Sequence, residues 1–175
     1  MSGLIKRYRM LVIIASLVII LDQITKAWIR NNLSIGETWM PWEWLAPYAR
    51  LVYWNNTGVA FGMFQGQGYL FAILAVIVAA AIIYYYPRVD VKDIPLRIAL
   101  GLQLGGAIGN LIDRILFAGQ VTDFISLGTF AVFNIADGSI TMGVIAMILG
   151  VWLEERKAKS AQANESPVTR TGSQG

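Results

Sequence analysis

The chain has neither cysteine nor histidine among its 175 residues. Without cysteine there is no disulfide framework, no thiolate metal site and no cysteine nucleophile. Without histidine, a Ser-His-Asp triad and a histidine-ligated zinc site are both excluded. Any acid–base chemistry therefore falls to carboxylates or lysines. Charge is scarce too: 14% of residues are charged and 56% hydrophobic, whereas a soluble domain carries about 25% charged residues. Such a composition points to a polytopic membrane protein. The net charge of +3 is small and its basic residues sit beside apolar runs, so it reports topology rather than nucleic acid binding.

Four apolar runs stand out, at about 10–29, 69–86, 94–117 and 138–153. The first begins like a secretory signal, but it is longer than a typical h-region and lacks an A-x-A cleavage signal, so it reads as an uncleaved helix. Lys6, Arg7 and Arg9, then Arg88, Lys92 and Arg97, then Arg156, Lys157 and Lys159 each gather near a membrane boundary. The positive-inside rule makes these three segments cytoplasmic and puts both termini on that side. The expected fold is a polytopic α-helical membrane protein: four transmembrane helices in one domain over 1–160, then a polar, disordered tail over 161–175.

On the opposite side, segment 31–68 is too long and too aromatic for a plain loop. Trp39, Trp42, Trp44, Tyr53, Trp54, Phe61 and Phe64 stud it. Residues 51–54 and 59–61 read as short strands joined by a turn at Asn55-Asn56-Thr57-Gly58. Trp and Tyr favour headgroup depth, so a small sheet lying on the outer leaflet is expected. A second outer segment, 118–134, reads as an interfacial helix or a strand-like lid.

The acids divide by depth. Asp22, Asp113, Asp123 and Asp137 all fall at the outer ends of spans or in the outer loop, whereas Asp90, Asp93, Glu154 and Glu155 lie on the other side. Ionisable groups at membrane depth cost roughly 2.5–3.5 kcal/mol each on insertion scales and mark function by default. In the third span Gly101, Gly105 and Gly109 recur every four residues, a stripe suited to close helix packing. One turn on, Asn110, Asp113 and Arg114 share a face. Asp113 and Arg114 read as a salt bridge tying the bundle, or Arg114 as a fork for a substrate carbonyl or lipid phosphate. Asp22 and Lys26 are spaced for an intrahelical ion pair, with Asp22 in a structural role that caps or ties the outer sheet. Asp123 and Asp137 remain. Two carboxylates brought close share a proton and can work as acid and base on one water without metal or cofactor. The same acids also suit a small proton- or ion-coupled transporter, although the halves show no internal repeat. A serine/lysine arrangement of Ser126 or Ser139 with Lys26 is a further option.

Five blocks carry a resemblance: Asp22-Gln23-Ile24-Thr25-Lys26, Asn56-Thr57-Gly58-Val59-Ala60-Phe61-Gly62, Gly105 through Arg114 (GGAIGNLIDR), Val121-Thr122-Asp123-Phe124-Ile125, and Phe133-Asn134-Ile135-Ala136-Asp137. In this order, over about residues 20–151, the chain resembles the lipoprotein signal peptidases, the bacterial signal peptidase II family. The resemblance implies an integral-membrane aspartic endopeptidase with an outer-leaflet β-cradle. It would cut prolipoproteins before a diacylglyceryl-modified cysteine, with the active site at the outer face of the bacterial cytoplasmic (inner) membrane. It assigns catalysis to Asp123 and Asp137, support to Asn56, Asn110, Asp113, Arg114 and Asn134, and the N-terminal acid to Asp22. It further implies membrane lipids as surroundings, no metal or cofactor, inhibition by the cyclic peptide globomycin, and action as a monomer. Val59 stands where the family commonly has Ala, and Gly138 follows the second acid where Ser is common. Both changes touch pocket shape rather than the acids.

Overall fold

The computed structural model describes residues 2–58 and 64–165. Its elements are α1 (Ser2–Asn32), β1 (Thr38–Trp39), β2 (Ala49–Asn56), α2 (Gly68–Tyr85), a 3-10 turn (Tyr86–Arg88), α3 (Ile94–Leu116), β3 (Val121–Leu127) and α4 (Ile135–Glu165). An α-helix covers most or all of each of the four expected apolar runs. α4 begins at Ile135, earlier than the apolar run suggests, and continues to Glu165, beyond residue 160 where the polar tail was expected to start.

Among the described residues, three helical stretches are long and apolar enough to cross a membrane: Lys6–Asn32, Gly68–Arg88 and Ile135–Arg156. Their outward faces are lipid-like, with Val12, Leu17, Ile73, Ile77, Ile148 and Val151 exposed. α3 has 23 residues, enough to cross by length, but its apolar run is broken by Arg97, Gln103, Asn110, Asp113 and Arg114. The reason is its place at the centre of the bundle. It packs on α1, α2 and α4, so most of its surroundings are protein rather than lipid. What α3 needs is small residues, not apolar bulk.

The glycines show this directly. A Cβ at Gly101 would meet Ile14 at 2.9 Å, one at Gly105 would meet Val18 at 2.6 Å, and one at Gly109 would meet the Asp22 carboxylate at 2.8 Å. The stripe read from the sequence therefore seats α1, and these contacts run in register, which makes α1 and α3 parallel. Gly106, one residue off the stripe, faces Ala136 and Ile140 of α4 instead. Because Gly143 meets Ala99 and Gly150 meets Pro95, α4 runs antiparallel to α3. At the far end, Arg7 donates to the Pro87 carbonyl at 2.9 Å and Arg97 to the Arg7 carbonyl at 2.6 Å. A core of Leu11, Ala15, Ala79, Ile82, Leu100 and Leu104 binds α1, α2 and α3 there.

The other end of the bundle carries a three-stranded antiparallel sheet in the order β1-β2-β3. The expected local hairpin is corrected here. Asn55 and Asn56 are not a turn but the end of β2, opposite Thr122 and Val121. The partner of β2 lies beyond two helices in sequence, and pairing with it outweighs the local turn signal. The expected strand at 59–61 lies outside the described residues. Segment 118–134 contributes β3, its most buried strand. Ile29 and Leu33 of α1 pack with Phe124 and fasten the sheet to the bundle. α3 ends at this level with Ala118 (φ 51°) and Gly119 (φ 85°) in the left-handed region, and Gly119 donates to the Arg114 carbonyl at 2.8 Å. That turn sends the chain directly into β3.

Candidate active site

The first turn of α4 builds one half of the site. Asn134 precedes the helix, and its side-chain oxygen accepts the Asp137 N–H at 3.0 Å. Asp137 Oδ2 accepts the Asn134 N–H at 3.2 Å in return. This reciprocal pair is a capping box, which satisfies two otherwise orphaned donors and places a carboxylate where the helix dipole favours negative charge. The polar Asn-x-x-Asp spacing therefore does local structural work and fixes the Asp137 carboxyl at the same time.

β3 builds the other half. Asp123 sits opposite Trp54 and is 1% exposed. Its two carboxyl oxygens accept from Asn134 Nδ2 at 2.6 Å and from Asn56 Nδ2 at 2.9 Å. Burial away from water, and then the nearby Asp137 charge, push the Asp123 carboxyl up to about 7 despite those two hydrogen bonds. Asp137 Oδ1 in turn accepts from Asn110 Nδ2 at 2.8 Å. Asn134 thus touches both acids, one through its side-chain nitrogen and the other through its backbone N–H. The two carboxylates, fourteen positions apart in sequence, line the same cavity.

That cavity has a volume of about 550 Å³, within the range of small-molecule and peptide sites. Asn56, Asn110, Arg114, Asp123 and Asp137 supply its polar wall, and Phe71, Phe130, Phe133, Ile140 and Met142 are among the apolar side chains lining it. Arg114 reaches the cavity from α3. Its Nη1 donates to the Asn110 carbonyl at 3.4 Å, its guanidinium lies 5.7 Å from the Phe71 ring centre, and its buried Nε has no partner among the described residues.

Asp113 is one residue from Arg114 but does not pair with it, and the salt bridge expected between them is absent among the described residues. Adjacent helical residues point in different directions, and Asp113 turns toward α1. There it lies 3.5 Å from Lys26 and 3.7 Å from Arg30. It also accepts the Thr122 N–H at 2.9 Å, just before Asp123. Asp22 does the matching job on the other side. It pairs with Lys26 at 2.8 Å and accepts the Ala136 N–H at 2.9 Å, just before Asp137. Asp22, Lys26 and Asp113 are fully buried and form an Asp–Lys–Asp cluster behind the cavity. The ion pair read from the sequence is there, and Asp22 caps α4 rather than tying the sheet.

Gln23 and Arg30 went unremarked as site residues. Gln23 Nε2 lies 3.1 Å from Asp22, 3.1 Å from the Gly109 carbonyl and 3.2 Å from Asp113. Arg30 donates to Thr122 Oγ1 at 3.0 Å. The available signal was the polar stripe of Asp22, Gln23, Lys26 and Arg30 on one face of an otherwise apolar span. The serine/lysine reading finds no support: Lys26 is held by Asp22, Asn110 and Asp113, and Ser139 donates to the carbonyls of Ala136 and Leu102. Among the described residues no cluster of three or more carboxylate, histidine or cysteine groups could hold a metal ion.

Fold and site together define a small polytopic membrane protein with paired carboxylates on a cavity at one end of a helical bundle. The family model described as signal peptidase (SPase) II matches residues 14–153. The lipoprotein signal peptidase of Shouchella clausii (strain KSM-K16) is 41% identical over 148 residues, covering 84% of this chain and 95% of the relative. That of Bacillus pumilus (strain SAFR-032) is 38% identical over 153 residues, covering 85% and 96%. A solved bacterial membrane enzyme, determined by the in meso method, aligns with a TM-score of 0.73 at 30% identity over 93% of this chain and 94% of its own. The chain belongs to the signal peptidase II family. The transporter reading is set aside accordingly.

Proposed function

We propose that this chain is an aspartic endopeptidase of the membrane that removes signal peptides from prolipoproteins, cutting before a diacylglyceryl-modified cysteine. The observation that carries the mechanism is Asn134, which hydrogen-bonds both Asp123 and Asp137 on one cavity wall. Asp137, with its helix N-terminus and the Asn110 amide, is suited to be the carboxylate that takes a proton from water. Asp123, pushed up to about 7, is suited to hold the proton that the scissile carbonyl oxygen receives. Water oxygen adds to the carbonyl carbon as Asp137 takes one of its protons and Asp123 gives its own. Collapse of the tetrahedral species then breaks the C–N bond, with Asp137 returning a proton to the leaving amine and Asp123 taking back the proton of the carbonyl-derived hydroxyl as the C=O bond re-forms. Arg114 and Asn56 orient the peptide.

The apolar cavity wall and the lipid-facing helices suit the two acyl chains of the substrate, each buried methylene contributing roughly 0.8 kcal/mol. All four helices cross the bilayer in this reading, α3 included. The basic residues at the far end, Arg7, Arg88, Lys92 and Arg97, mark the cytoplasmic side, and the sheet and acids face outward from the cytoplasmic membrane. The protein acts as a monomer, and globomycin is its expected inhibitor. The test is cleavage of a lipidated precursor by purified protein. Asp123→Asn and Asp137→Asn should each abolish turnover while leaving a folded protein, and full turnover by either removes the pair from the mechanism. Equal cleavage of the unlipidated precursor would contradict lipid anchoring.

A further inference from the structure

The Lys26 ammonium does not reach the cavity, yet it is bound to a residue that does. It lies 2.8 Å from Asp22 Oδ2, 3.5 Å from Asp113 Oδ2 and 2.9 Å from Asn110 Oδ1. An ammonium has donors and no acceptor, whereas a side-chain amide has a donor end and an acceptor end. Asn134 Nδ2 donates to the same Asn110 oxygen at 3.1 Å, so Lys26 and Asn134 together settle which end of Asn110 faces inward: the oxygen. The nitrogen is left pointing at the cavity, where it meets Asp137 Oδ1 at 2.8 Å. A half-turn of this amide would set its oxygen against the carboxylate oxygen of Asp137, an arrangement tolerable only if that acid carried a proton.

We propose that Lys26 is a positioning residue for the hydrolysis: as the charged and closer of the two donors to the Asn110 oxygen, it holds the amide so that its nitrogen donates to Asp137, and so keeps Asp137 in the form that accepts a proton from water. This rests on the reading of Asp123 and Asp137 as the catalytic pair. The pairing with Asp22 and Asp113 has a second purpose here. It anchors the ammonium from two sides, so its third contact has a fixed direction. Gln23, bonded to both of the same acids and to the Gly109 carbonyl, joins the cluster as a neutral donor. The other charged groups packed around it are Arg30 on α1, Arg114 on α3, Asp123 on β3 and Asp137 on α4. α2 carries no acidic or basic side chain, and β2 has Arg50 only at its far end, opposite Ser126.

The test is the pH dependence of kcat for a lipidated precursor, measured on the purified full chain for wild type, Lys26→Met, Asn110→Ala and the double variant. Loss of the donated hydrogen bond should move the acidic limb upward by about one pH unit in Lys26→Met. Lys26→Arg, which keeps a cationic donor, should move it back. In the Asn110→Ala background Lys26→Met should add nothing, because the two residues act as one unit. Shifts that add would mean that Lys26 acts by charge alone and would overturn the proposal, as would an unmoved limb in a folded Lys26→Met protein. If that variant does not fold because Asp22 is left without its cation, Asp22→Asn with Lys26→Met removes both charges together and replaces it throughout. Where turnover is too slow, the protonated-carboxyl infrared band followed against pH reads the same titration. Wild-type turnover by Asp137→Asn is a separate result, one that removes the catalytic pair itself.

Discussion

The carboxylate of Asp22 on the first helix accepts the backbone N–H of Ala136 at 2.9 Å, one residue before Asp137. Asp113 does the same for Thr122, one residue before Asp123. Each acid behind the cavity thus fixes the backbone that presents an acid within it. Asp22 thereby ties α1 to α4, and Asp113 ties α3 to the sheet.

This arrangement makes Asp22→Ala a severe change. It removes the Ala136 acceptor and strips Lys26 of its shortest ionic contact inside the protein. Breaking one side of a buried pair costs about 3–5 kcal/mol, so thermal unfolding in detergent should occur at a clearly lower temperature. Cleavage should fall with it. Asp22→Asn keeps an oxygen for the Ala136 N–H and should be milder. Equal unfolding temperatures for Asp22→Ala and wild type would show that the contact contributes little.

The state of Asp123 sets a pH dependence with a definite sign. Its carboxyl is pushed from 3.8 to about 7 in the folded protein, so the folded state binds the proton more tightly than the unfolded chain. The associated stability is fully present below the unfolded value near 3.8, and it is lost as pH rises through about 7. Unfolding temperature should therefore decline between these limits, and a variant lacking the acid, Asp123→Leu, should lose that part of the slope. Under the proposed mechanism, activity should fall on the alkaline side as Asp123 gives up its proton. A rate that keeps rising well above that pH would assign the proton to another group.

Much of this was legible in the sequence, for identifiable reasons. Long apolar runs specify helices whatever their partners, and the Asp22–Lys26 pair follows from helical spacing alone. The strand role of Asn56 was hidden because its partner, Val121, lies on the far side of two helices; only tertiary pairing could override the Asn-Asn-Thr-Gly turn signal. The true partners of Asp113 were hidden similarly, since Lys26 and Arg30 belong to another helix. The start of α4 was set too late because hydropathy registers lipid-facing side chains, whereas the helix is begun by the polar Asn134–Asp137 box.

Close packing of α3 against α4 gives a matched pair of glycine tests. A methyl group at Gly106 would run into the Ala136 carbonyl oxygen, with Ile140 at 2.6 Å and Ser139 at 2.7 Å. The first turn of α4 would have to move, taking Asp137 with it. Gly106→Ala should lower stability by about 1–3 kcal/mol and reduce kcat more than it alters KM. Gly138 lies in the same turn, but a Cβ there meets nothing within 4 Å. Gly138→Ala should fold at least as well as wild type, with a gain of up to about 1 kcal/mol from helix propensity. Equal effects at the two positions would mean that helix contact is not what the glycine at 106 provides.

Orientation in the membrane can be tested cleanly because the chain has no native cysteine. Arg50 is exposed on β2, in the sheet beside the acids, and Lys92 is exposed in the loop before α3 at the opposite end. Lysine and arginine next to a span are retained on the cytoplasmic side, and the far end gathers Arg7, Arg88, Lys92 and Arg97, with Arg7 and Arg97 locked to each other's neighbourhood by carbonyl contacts. Moving that whole group outward would carry several desolvated cations across the bilayer at once. Arg50→Cys should therefore react with a membrane-impermeant maleimide in intact cells, whereas Lys92→Cys should react only after permeabilisation. The reverse labelling would put the acids on the cytoplasmic face and overturn the proposed orientation.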